Sequence, residues 1–136
     1  QPWRFVVAHD PRKRHEMAQL TRYGNILEEA PVAIAVFLDR GAMYHETKDH
    51  QAIGACLQNM LLAAHALGFG AIWRTGEMAH DPEVRAGLGL QQSDRIVGFI
   101  YLGTAATPPK PLQPIDHATH FAEWLPGTIA FAASAG

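Results

Sequence analysis

Four apolar, strand-like segments alternate with helical segments along this chain, and the alternation restricts the fold to a sheet covered by helices. The strands are predicted at residues 3–8, 32–38, 70–75 and 95–103, all rich in β-branched or aromatic residues. The run Val32–Leu38 is apolar at every position, which is typical of a strand buried on both faces. The pattern predicts an α/β or α+β class, with a central mixed sheet in a three-layer sandwich.

Helix ends are marked by local signals. Asp10-Pro11 and Asp81-Pro82 each place a capping side chain before a proline at the first helical position. These helices are predicted to end near residues 20 and 87–89, and a short helical turn is predicted at residues 25–29. The longest helix is predicted at residues 46–67, with Gly68 as its C-terminal cap. Its apolar residues recur at steps of three and four: Ile53, Leu57, Met60, Leu61 and Ala64.

Composition argues against several classes of protein. The 136 residues carry 11 Lys and Arg against 13 Asp and Glu, without a basic run, so the charge pattern of a nucleic-acid binder is absent. No apolar stretch is long enough to span a bilayer, and no signal peptide is visible. The single cysteine, Cys56, excludes an intramolecular disulfide and fits a reducing, cytoplasmic compartment.

Other motifs with chemical meaning are incomplete. His45 and His50, and His117 and His120, have neither a cysteine partner nor a His-Glu-x-x-His helix, so no metal site is predicted. No Gly-x-Ser-x-Gly sequence supports a serine hydrolase. The Gly-x-Gly at residues 68–70 follows a helix and lacks a third glycine, unlike a dinucleotide-binding fingerprint.

The stretch with the most information reads Gly-Phe-Gly-Ala-Ile-Trp-Arg-Thr-Gly, from Gly68 to Gly76. Together with Gln-Pro-Trp-Arg-Phe at residues 1–5 and Val-Gly-Phe-Ile-Tyr-Leu-Gly-Thr at residues 97–104, it resembles the nitroreductase family of flavin enzymes. The closest resemblance is to compact members with a Trp-Arg-Ser/Thr-Gly strand. It covers residues 1 to about 104 and implies a sheet flanked by helices, an intertwined homodimer, FMN as cofactor and NAD(P)H as co-substrate.

The resemblance also implies a set of site residues. The strand end is a flavin platform, with a main-chain amide of Thr75 or Gly76 near the flavin N5. The residues implied to contact FMN are Gln1, Trp73, Arg74, Thr75, Gly76 and, at the phosphate, Lys110. Those implied to contact NAD(P)H are Ala63, Ala64, His65, Ala66, Leu67 and Gly68. From the residues alone, the strand end is also typical of an ordinary turn. Residues 46–68 are likewise typical of an ordinary core helix.

The implied function is hydride transfer from NAD(P)H through flavin to nitroaromatic, quinone or similar small-molecule acceptors. Because the flavin carries the chemistry, no catalytic side chain is predicted. Two alternatives remain open. One is a non-catalytic flavin-binding or interaction module of the same fold, and the other is a relative with different flavin chemistry, such as dehalogenation or flavin breakdown.

The chain is expected to be one domain, residues 1–136, that lacks the family's N-terminal segment and ends in an extended arm at residues 105–136. In the family, an Arg/Ser-rich upstream helix serves the FMN phosphate, so the 136-residue chain is expected to bind FMN weakly or not at all. Residues 22–24 are either a short loop or the ends of an omitted mobile segment. The apolar tail at residues 129–135 is expected to be covered by a partner subunit.

Overall fold

In the computed structural model, which describes residues 1–108 and 110–122, four strands form one sheet with helices around it. The strands are β1 (Trp3–Ala8), β2 (Val32–Leu38), β3 (Gly70–Arg74) and β4 (Arg95–Gly103). The helices are α1 (Pro11–Ala18), α2 (Asn25–Glu29), α3 (Glu46–Ala66) and α4 (Pro82–Gly87), with 3-10 turns at Arg40–Ala42, Glu77–Ala79 and His117–Thr119. The eight predicted strands and helices are all present, and their ends differ from the prediction by at most two residues.

The sheet has the strand order β1-β2-β4-β3, so β1 and β3 lie at its edges. The expected class and the helix-covered central sheet are confirmed, but every strand pairing in the described residues is antiparallel. The parallel pair that a mixed sheet would add does not occur among the described strands. The helical connection α3 does make β2 and β3 run in the same direction, as the alternation predicts. However, β4 lies between them and pairs antiparallel with both.

Two hydrophobic cores lie on the two faces of the sheet, which confirms the three-layer arrangement. On one face, Phe37 of β2 packs in a core with Leu27 of α2 and with residues of α1 and α4. On the other face, Val36 and Leu38 pack with Leu57 of α3. Successive residues of a strand point to opposite faces, so the apolar run of β2 supplies both cores.

A bulge interrupts β4. Val36 lies opposite Gly98 and Phe37 lies opposite Ile96, which leaves Val97 as an extra residue. Gly98 has a φ of 156°, and a Cβ added there would meet the Trp73 indole and lie 2.6 Å from the Arg74 carbonyl oxygen. The bulge therefore lets the end of β3 approach β4 closely.

The predicted caps are formed. The Asp10 Oδ1 accepts the N–H of Arg12 at 2.8 Å, and the Asp81 Oδ1 accepts that of Glu83 at 2.8 Å. Gly68 ends α3 with a φ of 83°, the left-handed conformation that favours glycine.

The chain divides into two units, Gln1–Ala106 and Thr107–Gly136. In the second unit, the Asp116 Oδ1 accepts the N–H of Ala118 at 3.1 Å and begins the 3-10 turn. The single-domain assignment and the arm at residues 105–136 stay predictions. The apolar tail at residues 129–135 lies outside the described residues.

None of the described helices combines the length and apolar character needed to cross a membrane. Within residues 1–108 and 110–122, no three His, Cys, Asp or Glu side chains group as metal ligands would.

Candidate functional site

A cavity of about 520 Å³ opens at the end of β3. It is lined by residues 73–78 together with Tyr23, Ile26, Phe99 and Tyr101, and we call it the strand-end cavity. Its volume lies within the range of small-molecule sites. The structure therefore brings together the four strand-end residues singled out in the sequence and adds aromatic and apolar walls to them.

Two main-chain donors at this strand end have no hydrogen-bond partner within residues 1–108 and 110–122. The pairing of β3 with β4 stops at Arg74, which lies opposite Phe99. Among the residues that the structure describes, neither the N–H of Thr75 nor that of Gly76 donates a hydrogen bond, although the Gly76 carbonyl accepts the N–H of Ala79 at 2.9 Å. Thr75 and Gly76 are both exposed residues that line the cavity.

The space beside Gly76 is open. Its φ of −68° and ψ of −167° are allowed to any residue, and an added Cβ would meet no atom within 4 Å. Neither the backbone nor the neighbouring residues of this protomer therefore require glycine. Leaving out a side chain keeps the main chain accessible to a flat ligand.

Trp73 anchors the strand end from the opposite face. Its side chain packs against the α3 core, while its backbone continues towards Thr75. The indole Nε1 is buried and has no hydrogen-bond partner among the described residues. It lies against the bare backbone of Gly98, and this contact fixes the distance between β3 and β4.

Tyr101 is a site residue that the sequence reasoning missed. It is 7% exposed, and burial raises the pKa of its hydroxyl to about 12, although the Arg74 guanidinium lowers it in part. The hydroxyl therefore stays protonated near neutral pH and can donate a hydrogen bond. Its ring stacks on Phe99, with 6.5 Å between the ring centroids. Period-two alternation along β4 places both rings on one face, and this signal could have identified them.

Gln1 is not brought to the strand-end cavity. It precedes β1 at one edge of the sheet, whereas residues 75 and 76 follow β3 at the other edge. Three strand spacings separate these edges, a distance of about 14 Å. Gln1 itself is exposed, and its carbonyl accepts the Nη1 of Arg4 at 3.1 Å.

The predicted NAD(P)H contacts also lie elsewhere. Ala63, Ala64 and Leu67 line a separate cavity of about 450 Å³ with apolar walls. That cavity lies on the α3 face, opposite the face that bears Phe99 and Tyr101. His65 and Ala66 are exposed, and Gly68 caps the helix. Within one protomer, these residues and the strand-end cavity do not form a single site.

Lys110 is exposed and belongs to the second unit. Its contact with an FMN phosphate stays a prediction.

Comparisons with known proteins agree on one family. Residues 19–104 match the model of the nitroreductase family. The chain is 30% identical over 141 residues to YdjA of Escherichia coli K12, which is named as a candidate NAD(P)H nitroreductase, with 89% of this chain and 77% of YdjA covered.

Two solved structures are similar as well. One is a candidate nitroreductase from Desulfovibrio desulfuricans in complex with FMN, 40% identical with a TM-score of 0.75, covering 91% of this chain and 74% of that protein. The other, from Bacteroides thetaiotaomicron, is named as a candidate NADH dehydrogenase/NAD(P)H nitroreductase. It is 32% identical with a TM-score of 0.69, covering 85% of this chain and 68% of that protein.

Proposed function

This chain belongs to the nitroreductase family, and we propose that it passes hydride from NAD(P)H through FMN to nitroaromatic, quinone or similar small-molecule acceptors. Family membership makes it an NAD(P)H-dependent flavin oxidoreductase, and the class of acceptor is the finer part of the proposal. The observation that carries it is that the amides of Thr75 and Gly76, in the strand-end cavity, donate to no other group in the described part of the chain.

The residues of the strand-end cavity fit a flavin ring. A relative 40% identical to this chain was solved with FMN, which supports the same cofactor here. The open space at Gly76 admits a flat ring against the main chain, and Phe99 and Tyr101 supply apolar surface beside it. The amides of Thr75 and Gly76 would hold the edge of the ring.

When bound, FMN supplies the hydride chemistry that links the two substrates. The protein's own groups position the flavin and tune its reactivity. The Thr75 and Gly76 amides offer preorganised donors where negative charge develops. The Arg74 guanidinium adds positive charge, and the protonated Tyr101 hydroxyl can orient a polar acceptor. Ile26 and Phe99 give the same cavity apolar walls.

A second copy of the chain would complete the site. Gln1 and the strand end lie at opposite edges of one sheet, so we assign their contacts with one flavin to different subunits. The outer face of α3 is available for such packing, since Leu62 is 57% exposed and a Cβ on Gly54 would meet nothing within 4 Å. We therefore propose that the protein is a homodimer. We also propose that it is located in the cytoplasm.

The test replaces Gly76 with valine. Gly76→Val fills the open space beside the main chain, so FMN affinity should fall by at least about tenfold. The free energy of unfolding of the cofactor-free chain should change by less than about 0.5 kcal/mol, because the side chain meets nothing there. FMN titration followed by flavin fluorescence measures the first quantity, and urea unfolding measures the second.

The matched control is Thr75→Ala, which keeps the amide and removes only the hydroxyl. It should bind FMN within a few-fold of the natural sequence. Unchanged FMN affinity in Gly76→Val would place the flavin away from the strand-end cavity.

A further inference from the structure

Three arginine side chains meet at a second cavity on the same side of the sheet. Arg40 follows β2, Arg85 lies in α4 and Arg95 begins β4. They line a space of about 350 Å³, which we call the arginine cavity. Its other polar lining residues include His80, Gln92 and Ser93.

The arginines of this cavity form no salt bridge with any described residue. In the part of the chain that the structure describes, salt bridges join other basic residues, and none includes Arg40, Arg85 or Arg95. One carboxylate, that of Asp94, lines the cavity, and its Oδ2 already accepts the N–H of Gln91 at 2.9 Å. The lining thus contains three arginines and one aspartate, in a chain whose formal net charge is −2. Like charges held together repel, and an anion would relieve that repulsion.

The arginine cavity adjoins the strand-end cavity. Both use the 3-10 turn Glu77–Ala79, since Met78 lines the strand-end cavity and Ala79 lines the arginine cavity. Along β4, Phe99 lines the strand-end cavity and Ile96 lines the arginine cavity. These two residues are about 10 Å apart along the strand. All four residues belong to the same hydrophobic core, so the two cavities share one face of the sheet.

We propose that the arginine cavity binds the pyrophosphate of the nicotinamide dinucleotide whose ring enters the strand-end cavity. The inference rests on the proposed function. A dinucleotide carries two negative charges on its pyrophosphate, one ribose away from the ring. Guanidinium groups bind phosphate oxygens through paired hydrogen bonds, and Ser93 and Gln92 supply neutral donors. The stretch at residues 63–68 contributes no Lys or Arg and lies at the other face of the sheet.

The experiment compares two hydride donors with FMN supplied in excess. NADH carries the pyrophosphate, and 1-benzyl-1,4-dihydronicotinamide carries no phosphate. In Arg85→Gln and Arg95→Gln, the KM for NADH should rise about tenfold for each arginine removed, because a charged hydrogen bond is lost. The rate with the phosphate-free donor should stay unchanged, which also shows that the variants are folded. Lys48→Gln is the control, because it removes one positive charge from an exposed position on α3. It should alter neither the KM for NADH nor the rate with the phosphate-free donor.

Inorganic pyrophosphate provides an independent probe. It should compete with NADH in the natural sequence and lose that effect in the double variant that combines Arg85→Gln with Arg95→Gln. An unchanged KM for NADH in the double variant would overturn the inference. If the double variant also lost affinity for FMN, the cavity would be assigned to the flavin phosphate instead. Failure of both donors in the natural sequence would instead count against the proposed function.

Discussion

At the scale of single residues, Gly98 controls how closely the end of β3 approaches β4. A side chain there would collide with the Trp73 indole and with the Arg74 carbonyl, 2.6 Å from the added Cβ. Trp73 and Arg74 lead directly into the amides that we assign to the flavin. A change at Gly98 should therefore reach the strand-end cavity through the backbone, without touching a ligand.

Gly98→Ala should lower the free energy of unfolding by about 1–3 kcal/mol, as overpacking does. It should also weaken FMN binding, because the Thr75 and Gly76 amides move. Urea unfolding followed by tryptophan fluorescence measures the first effect, and FMN titration the second. The control is Gly41→Ala, where an added Cβ meets only a flexible carboxylate of Asp39 at 3.3 Å. Equal stability of the two variants would contradict this account of the bulge.

Tyr101 makes stability depend on pH at the alkaline end. Its pKa is raised to about 12 in the folded chain, from an unfolded value near 10. The folded state therefore keeps its proton after the unfolded state has lost it. Stability is full below pH 10 and falls as pH rises to about 12, by up to about 3 kcal/mol.

Tyr101→Phe should remove the part of the stability loss at alkaline pH that comes from this hydroxyl. Urea unfolding at a series of pH values between 9 and 12 would show it as a difference between the two sequences. Tyr44→Phe is the control, because Tyr44 is 94% exposed and should follow the natural sequence. If Tyr101→Phe and Tyr44→Phe showed the same dependence of stability on pH, the Tyr101 hydroxyl would have no part in the alkaline loss of stability.

At the scale of elements, local signals predicted where strands and helices lie, but pairing is a long-range property. The Asp-Pro pairs and Gly68 marked helix ends correctly because capping depends on neighbours in the sequence. The alternation of strand and helix suggested a mixed sheet, whereas among the described strands β4 lies between β2 and β3 and pairs antiparallel with both. Nothing local in β4 specifies which strands it will join.

The outer face of α3 provides a test at this scale. Leu62→Glu places a charge on an exposed apolar position of that face, so the proposed dimer should dissociate while the protomer stays folded. Light scattering at micromolar concentration gives the mass, and circular dichroism checks the fold. Gln19→Glu is the control, because Gln19 is exposed at the end of α1, on the other face of the sheet, and this variant should remain dimeric. A Leu62→Glu dimer as stable as that of the natural sequence would exclude this face as the interface.

At the scale of the whole molecule, the predicted site residues divide into groups that one protomer does not bring together. The strand end could be predicted because its motif is contiguous, and the structure places it in a cavity. Tyr23, Ile26 and Tyr101 could not, because they reach the same cavity from distant parts of the chain. Gln1 and residues 63–68 lie at another edge and another face, and this separation is the basis on which we propose a site shared by two subunits.

The most direct test of the central claim is anaerobic reduction of FMN by NADH or NADPH, with FMN in excess to offset weak binding. The blue absorbance of oxidised flavin disappears on reduction. We predict that the chain accelerates this bleaching and that Gly76→Val, equally folded, does not. Bleaching no faster than in buffer, or equally fast with both sequences, would contradict a flavin oxidoreductase built on the end of β3.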